Sequence, residues 1–160
     1  MNKEIFDRLN ELNIEYNLVE HPEGATMNEL AEFDLESYGH IPKNLVLRDA
    51  RGKRNMLVLV CGDKRADLQL IRDEIGSTKL SFASDQRLEK FLSVEKGSVS
   101  PFGLIYDKDE DLEVYFDGDL QKKEIVGCHP NDNHATVFLK FSDLNKFIES
   151  TGHKIRFIEV

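Results

Sequence analysis

Cysteine is scarce in this sequence of 160 residues: Cys61 and Cys128 are the only two, and they lie far apart. Two thiols in a cytosolic protein of this size are more often buried and reduced than joined, so we expect two free thiols. The sequence also lacks the ~18 consecutive apolar residues of a membrane span, and residues 1–4 do not open a signal peptide. These absences predict a cytoplasmic protein with no membrane partner.

Positive charge is in the minority, and it is unevenly distributed. The net charge of −9 argues at first against a nucleic-acid partner, because phosphates prefer basic surfaces. Residues 43–65, however, carry seven basic and only two acidic side chains. A local basic patch on an acidic protein suits a partner that touches it at one place. The alternative is a solvated hairpin with a basic tip.

Helix and strand signals follow one another in an irregular order. Residues 3–13 have helical spacing of apolar side chains, and Thr26 with Glu29 forms a capping box that predicts a short helix to about residue 33. Two β-rich runs, 45–49 and 56–60, flank a glycine-bearing turn and predict a hairpin. Further strands are predicted at 15–20, 80–82, 104–106, 112–116, 135–141 and 155–158, and further helices at 67–73, 84–92 and 142–149. This order predicts one α+β domain over residues 1–160, a curved mixed β-sheet surrounded by helices.

The segment CHPNDNHAT at residues 128–136 is crowded with functional side chains. It suggests a metal site, but a structural zinc site usually needs four N or S ligands in paired short spacings, and no second pair exists. It also suggests a Cys128–His129 dyad, but neighbours on an extended chain point to opposite sides. A tight turn, in which Asn and Asp bond to their own backbone, is the favoured interpretation. We expect no metal.

The loop GSVSPFG at residues 97–103 is a second candidate site. Two glycines and a proline in seven positions fix its backbone course. Such a loop can direct consecutive N–H groups into a cleft that binds a carboxylate, a phosphate or a developing oxyanion. The sequence has neither a P-loop pattern nor a G-x-S-x-G elbow. The alternative is an ordinary connecting loop.

Lys43 is a third candidate, since it stands where the chain enters the first hairpin strand. Its aliphatic stem could pack against the sheet while its ammonium points into a cleft. The alternative is a surface lysine at a strand end, which is the commoner situation. Lys43 by itself therefore does not define a site.

The order of these candidates resembles that of a known family. KNLVLRD, DKRADLQLI, LSFASDQRLEKFL, GSVSPFGLIYD and CHPNDNHATV occur in register, with EHPEGATMNE near the start. They resemble the YbaK-like superfamily of free-standing editing proteins, which are related to the insertion domain of bacterial prolyl-tRNA synthetase. GSVSPFG together with HPNDNHAT points to the branch that hydrolyses alanine mischarged onto proline tRNA. The branch that edits cysteine has a loop more like GGxSPxG and lacks the histidine segment.

The resemblance implies roles for individual residues. The catalytic residues that it implies are Lys43, Gly97, Ser98, Val99, Ser100, Pro101 and His129. The substrate-binding residues that it implies are His21, Thr26, Asn44, Phe102, Gly103, Asn133 and Thr136. His134 is expected to face away from the pocket. Cys128 stands where the family commonly has an apolar or aromatic residue, which we interpret as a variation in the pocket wall.

The implied activity is hydrolysis of the ester of Ala-tRNA(Pro), with no cofactor. This ester is already activated, so the enzyme mainly positions it and stabilises the oxyanion with backbone N–H groups of residues 97–101. The vicinal ribose hydroxyl can help to activate water, which makes a protein nucleophile unnecessary. A binding role for His129 ranks above general-base catalysis. A synthetase pocket built for proline cannot strongly exclude alanine, and a second, smaller pocket corrects this error.

The implied partner is the acceptor end of aminoacylated tRNA(Pro), and a transient association with prolyl-tRNA synthetase stays open. The candidate tRNA-binding residues are Arg48, Arg51, Lys53, Arg54, Lys64 and Arg65. One alternative is a deacylase for another small mischarged amino acid, Cys or Ser. The other is a non-catalytic module that binds a tRNA end or a free amino acid.

Overall fold

The computed structural model describes residues 2–22 and 34–160. In that part of the chain the α-helices are α1 (Lys3–Glu11), α2 (Leu68–Ile75), α3 (Asp85–Leu92) and α4 (Phe141–Ser150). The strands are β1 (Tyr16–Glu20), β2 (Lys43–Arg48), β3 (Asn55–Val60), β4 (Ser81–Phe82), β5 (Leu112–Asp117), β6 (Ile125–Cys128), β7 (Ala135–Lys140) and β8 (Ile155–Ile158). Short 3-10 helices cover Leu35–Ser37, Pro101–Tyr106 and Gly118–Lys122. The capping box at Thr26 and the helix predicted after it lie outside the described residues.

The central element is a mixed five-stranded sheet in the order β4–β2–β3–β5–β8. β2 and β3 form the predicted antiparallel hairpin, with Lys43 opposite Val60 at its open end and Arg48 opposite Asn55 beside its turn. β5 pairs parallel to β3, and β8 parallel to β5. All six residues of β3 are buried, as expected for a central strand covered on both faces.

A second sheet contains three antiparallel strands in the order β1–β7–β6. It joins the first sheet through an isolated bridge between His40 and Val126. The α+β class is confirmed, but the strands divide into two sheets where the sequence predicted one. β6 was not predicted, partly because Gly127 has a low preference for β-strands. Glycine is required there because a Cβ would lie 2.5 Å from the Phe138 ring.

Apolar side chains cover both faces of the five-stranded sheet. Val46 and Leu59 belong to a cluster that includes residues of α1, α3, α4 and the second sheet. Leu47 and Val58 belong to a second cluster with Ile71 of α2. Neighbouring residues of a strand face opposite sides, so β2 and β3 contribute to both clusters. No helix in the described ranges is long and apolar enough to cross a membrane.

The prediction of a strand at 104–106 is wrong, since these residues end a 3-10 helix. Pro101 opens that helix with its fixed φ, and the Phe102 N–H donates to Ser100 Oγ over 3.1 Å. The chain has therefore already entered the 3-10 helix before it reaches the apolar residues 104–106. Three apolar residues in a row do not distinguish a strand from a short buried helix.

Candidate active site

The loop at 97–103 and the turn at 128–136 pack directly against each other. Asn131 Nδ2 donates over 2.8 Å to the backbone carbonyl oxygen of Leu92, which is the last residue of α3. A Cβ added to Gly103 would lie 3.0 Å from Asn131 Oδ1 and 3.1 Å from Leu92 O, so a side chain here would crowd both atoms. Asn131 Oδ1 is buried without a hydrogen-bond partner in the described part of the chain. Sequence reasoning did not select Asn131, yet this residue joins two of the three candidate segments.

The loop leaves backbone N–H groups available to a ligand. Gly97 has φ +94°, a conformation that side chains disfavour. The Ser98 N–H donates to Glu95 O over 3.1 Å. Within the described residues, the N–H groups of Gly97, Val99 and Ser100 make no hydrogen bond. Ser100 is fully buried, whereas Val99 is half-buried and Gly97 is exposed, so Gly97 and Val99 are the two of these residues with surface open to solvent.

His129 is a half-buried residue at the beginning of this turn. Its Nδ1 lies 2.8 Å from Ala135 O. Because a carbonyl oxygen only accepts, Nδ1 carries the hydrogen and Nε2 carries the lone pair. Burial is the largest influence on the pKa of His129 and lowers it below the usual 6.5. The imidazole is therefore neutral near pH 7 and offers Nε2 as an acceptor.

His21 and Thr136, both buried, lie beside His129 because β1 pairs with β7. His21 Nε2 is 3.0 Å from Thr136 Oγ1. The rings of His21 and His129 meet edge to face with centroids 6.0 Å apart. Asn133 is half-buried in the same turn, whereas Thr26 lies outside the described residues. Three predicted site residues are thus brought together from separate parts of the sequence.

One predicted site residue, Phe102, is placed elsewhere. Phe102 is fully buried and packs edge to face against Phe147, with ring centroids 5.0 Å apart, so its side chain belongs to the core. His134 is exposed at the surface of the turn. Cys128 is buried at the end of β6, and burial raises the pKa of its thiol to about 12. A thiol that stays protonated at neutral pH does not act as a nucleophile. Both Cys61 and Cys128 are free, as predicted.

Lys43 lies at the exposed start of β2. It lines a cleft of about 970 Å³ together with residues 34–42, 62–63 and 122–125. Its Nζ donates to Lys64 O. Among the described residues, no hydrogen bond or ion pair joins Lys43 to the 97–103 loop or to His129.

Asn44, the neighbour of Lys43, faces the other side of the sheet. Side chains alternate along β2, so Asn44 shares its side with Val46, which packs in the cluster that contains Cys128. Asn44 Nδ2 donates to Pro42 O over 3.3 Å. Its Oδ1 is buried and has no partner in the described ranges. Asn44 therefore holds an unused acceptor at the open end of the hairpin.

The basic segment does not form one patch. Arg48, Arg51 and Lys53 lie at or beside the hairpin turn. They are about five residues along β2 from Lys43, which is ~17 Å at ~3.3 Å per residue. Lys64 and Arg65 follow the open end of the hairpin, beside Lys43.

Two of the basic residues form ion pairs within the protein. Arg54 makes a bidentate contact with Glu113, at 2.9 and 2.7 Å, and this hydrogen bonding raises the pKa of Arg54. Lys64 Nζ lies 2.7 Å from Asp119 Oδ2 and 3.0 Å from Asp117 Oδ1. These hydrogen bonds raise the pKa of Lys64, and the bond from Lys64 is the largest cause that lowers the pKa of Asp119 to about 2. Arg54 and Lys64 therefore suit a structural role better than a phosphate contact.

Three potential metal ligands that are scattered in the sequence also come together. Single ligand atoms of His40, Cys61 and Asp63 all lie within 4.8 Å of one another. The Gly62 N–H, however, donates to His40 Nε2 over 2.9 Å, so a cation at that nitrogen would have to displace it. Burial first, and then Asp117, raises the pKa of the Cys61 thiol to about 11. A His40 nitrogen that already accepts a hydrogen bond and a Cys61 thiol with a raised pKa are poor metal ligands, so the donor set does not favour a metal centre.

Comparison with known proteins places these residues in a family. Residues 21–147 match the family described as the aminoacyl-tRNA editing domain. The chain is 45% identical over 156 residues to prolyl-tRNA editing protein ProX of Acetoanaerobium sticklandii, covering 98% of this chain and 95% of that protein. It is 32% identical over 155 residues to prolyl-tRNA synthetase associated domain-containing protein 1 of Danio rerio, covering 96% and 84%.

The fold is also similar to that of a solved structure. A candidate trans-editing enzyme for prolyl tRNA synthetase superposes with a TM-score of 0.71, covering 100% of this chain and 99% of that one. At 22% identity this likeness shows the fold alone. The family match includes β2, the 97–103 loop and the 128–136 turn. As its motifs predicted, the chain belongs to the aminoacyl-tRNA editing domain family.

Proposed function

We propose that this protein is a trans-editing aminoacyl-tRNA deacylase that hydrolyses the ester of Ala-tRNA(Pro). The observation that carries the proposal is the packing of the 97–103 loop against the turn that carries His129, since the Gly97 and Val99 N–H groups of this loop have no hydrogen-bond partner among the described residues. Membership of the editing family and the relative named as a prolyl-tRNA editing protein support the same activity. Backbone donors that can stabilise an oxyanion suit attack on an acyl ester.

The loop stabilises the charge that develops during hydrolysis. Water attacks the ester carbonyl, the bond to the ribose oxygen breaks, and free alanine and tRNA are released. The Val99 and Gly97 N–H groups donate to the carbonyl oxygen as it becomes an oxyanion. Loss of one such donor typically lowers kcat by ~10²–10³. The vicinal ribose hydroxyl helps to activate the water, so no protein nucleophile is needed.

The cluster round His129 holds the amino acid. The neutral Nε2 accepts a hydrogen bond from the α-amino group of alanine, and buried His21 and Thr136 complete the polar wall. In this proposal the space beside these side chains is small enough to admit alanine and to exclude the bulkier ring of proline. The synthetase rejects larger substrates and this protein removes the smaller error, which is double-sieve editing.

Lys43 and Asn44 serve the adenosine end of the substrate. The Lys43 ammonium is held by one carbonyl oxygen, that of Lys64, and turns readily towards a phosphate or ribose. The unused Oδ1 of Asn44 accepts a ribose hydroxyl or an adenine amino group. A cytoplasmic location and a transient association with prolyl-tRNA synthetase belong to the same proposal.

The test is deacylation of tRNA(Pro) charged with alanine, cysteine, serine or proline. We expect alanine to be lost much faster than its spontaneous rate and proline to be retained. Preferential loss of cysteine or serine would assign the alternative deacylase. If no charged tRNA is hydrolysed above background, the enzyme proposal fails. The remaining alternative is then a non-catalytic module that binds a tRNA end or a free amino acid.

A further inference from the structure

A second cleft, of about 430 Å³, lies between the turn of the β2–β3 hairpin and α3. Three cationic side chains line it, Lys53, Arg87 and Lys90, against one anionic side chain, Asp111. Lys53 and Lys90 are exposed. Positive charge is thus concentrated here on a protein whose net charge is −9.

Arg87 is fixed in this cleft by the hairpin itself. Its Nη1 donates to Gly52 O at 3.1 Å and to Asn55 Oδ1 at 2.7 Å, and Asn55 is buried. A Cβ added to Gly52 would lie 2.6 Å from Arg87 Nη2 and 3.1 Å from Arg48 Nη2. Two guanidinium groups therefore converge on the tip, and neither forms an ion pair with a described residue.

α3 separates its charges between two faces. Arg87 and Lys90 are three residues apart and line the cleft, whereas Asp85 and Glu89 are four apart and do not. Lys90 Nζ lies 5.3 Å from the centroid of the Phe91 ring, which also lines the cleft. The helix therefore presents its cations to the same space as Lys53.

α3 also connects this cleft to the proposed deacylation site. Arg87 contacts the hairpin tip, and Leu92, at the other end of α3, accepts the hydrogen bond from Asn131. Eight helical residues span ~12 Å. In a DNA duplex the phosphates of one strand recur every ~3.4 Å along the helix axis. A nucleic-acid backbone that follows α3 from the ester site therefore reaches the cleft within a few nucleotides.

We propose that this cleft binds the sugar–phosphate backbone of the acceptor arm of the charged tRNA, with Lys53, Arg87 and Lys90 contacting phosphates. The inference rests on the proposed function, because it takes the tRNA ester as the group held at the other end of α3. It adds two residues of α3 that lie outside the basic segment 43–65. It leaves out Arg54, whose charge is paired with Glu113.

The test uses the double variant Lys53→Ala/Lys90→Ala, in which both changes are on exposed side chains. kcat/KM for Ala-tRNA(Pro) is measured between about 50 and 200 mM salt, a range over which phosphate contacts respond strongly. Each contact contributes ~0.9 to the log–log salt slope, so the slope should become shallower by about 2. The control Lys3→Ala/Lys146→Ala removes the same charge from α1 and α4 and should keep the wild-type slope.

A small substrate that lacks the sugar–phosphate backbone of tRNA distinguishes an effect on tRNA binding from an effect on ester hydrolysis. On 3′-O-alanyl adenosine the double variant should lose roughly tenfold less activity than on the tRNA at low salt. Equal losses on both substrates would overturn the inference. An unchanged salt slope would also overturn the inference. An acidic protein would then be the partner that the charge of the cleft favours.

Binding of uncharged tRNA(Pro), measured by fluorescence anisotropy, distinguishes the two proposals. If wild type binds this tRNA but hydrolyses neither ester, the proposed function fails. Weaker binding by Lys53→Ala/Lys90→Ala than by Lys3→Ala/Lys146→Ala would still support the cleft as the backbone site. Equal binding by the two double variants would reject it.

Discussion

His129 illustrates how the surroundings of one side chain set its chemistry. The Ala135 carbonyl fixes the tautomer, and burial keeps the ring neutral. A neutral imidazole with an open Nε2 is an acceptor, which suits the binding role that ranked first from the sequence. The chain contains five histidines, and no sequence pattern distinguishes this protonation behaviour among them.

His129 should make stability depend on pH. An imidazole in the unfolded chain has a pKa near 6.5, and burial lowers the pKa of His129 in the folded protein. Below pH 6.5 the unfolded chain therefore binds a proton that the folded protein does not, so stability falls as the pH is lowered through this window. We expect the wild-type free energy of unfolding to fall relative to that of His129→Asn, measured in urea from about pH 8 to 5. Parallel pH profiles would contradict a buried, neutral His129.

Lys43 should affect activity without affecting stability. Its side chain is exposed and makes one hydrogen bond, so Lys43→Ala should leave the free energy of unfolding within about 0.5 kcal/mol of wild type. Deacylation of Ala-tRNA(Pro) should be nearly abolished. Lys108→Ala, at an exposed turn, is the control and should retain activity. Normal activity of Lys43→Ala would remove this lysine from the site.

In the 97–103 loop, three residues have separate structural roles that together set the course of the backbone. Gly97 turns the chain, the Ser100 hydroxyl caps the 3-10 helix, and Gly103 admits Asn131. The sequence predicted a constrained loop from its glycines and proline. The spacing alone did not reveal that the Ser98 N–H bonds to Glu95 O while the Val99 N–H has no partner in the part of the chain that the structure describes.

Gly97 and Gly76 provide a matched pair for testing the loop. Their φ values are +94° and +68°, and an added Cβ would meet no atom within 4 Å at either position. Each change to alanine should therefore cost about 1 kcal/mol of stability through backbone strain. Only Gly97→Ala should shift the oxyanion donors and lower kcat, by roughly 10²-fold. Equal kinetic effects of the two variants would mean that the loop does not act in catalysis.

At the scale of the whole molecule, Lys64 connects distant parts of the chain. It follows β3, and its ammonium reaches Asp117 at the end of β5, Asp119 in the next 3-10 helix, and Val160 O, 2.9 Å away. Asp117 also accepts from the Cys61 N–H over 3.1 Å. One cation thus joins β3, β5 and the last residue of the sequence.

This arrangement predicts that Lys64 matters for stability and not for tRNA. Lys64→Ala should lower the free energy of unfolding by about 1–3 kcal/mol, because it leaves the buried Asp117 carboxylate short of a partner. Denaturant unfolding measures this loss, with exposed Arg65→Ala as the control. The salt slope of tRNA deacylation should stay at the wild-type value. A stable Lys64→Ala protein with a shallower slope would return Lys64 to the tRNA surface.

Much of the fold could be predicted because its signals are local. The hairpin and the helices predicted at 67–73 and 84–92 depend on residues within a few positions, and all three are confirmed. The strand at 104–106 was predicted wrongly and β6 was missed, since apolar periodicity is ambiguous in segments of three or four residues. The candidate site was predicted as separate motifs and not as an arrangement.

The sequence by itself determined the α+β class, the hairpin, the constrained loop and the editing family, because backbone sterics and motif order are written in neighbouring residues. Only the tertiary structure decided that Asn131 bonds to Leu92, 39 positions away, and so holds the turn against the end of α3. The tertiary structure also places the basic residues of segment 43–65 at two ends of the hairpin. It pairs Arg54 and Lys64 with carboxylates of the protein, and it places Arg87 in the same cleft as Lys53. Charge pairing, burial and unused hydrogen bonds depend on partners from distant parts of the chain, so they become fixed only when the strands and helices pack.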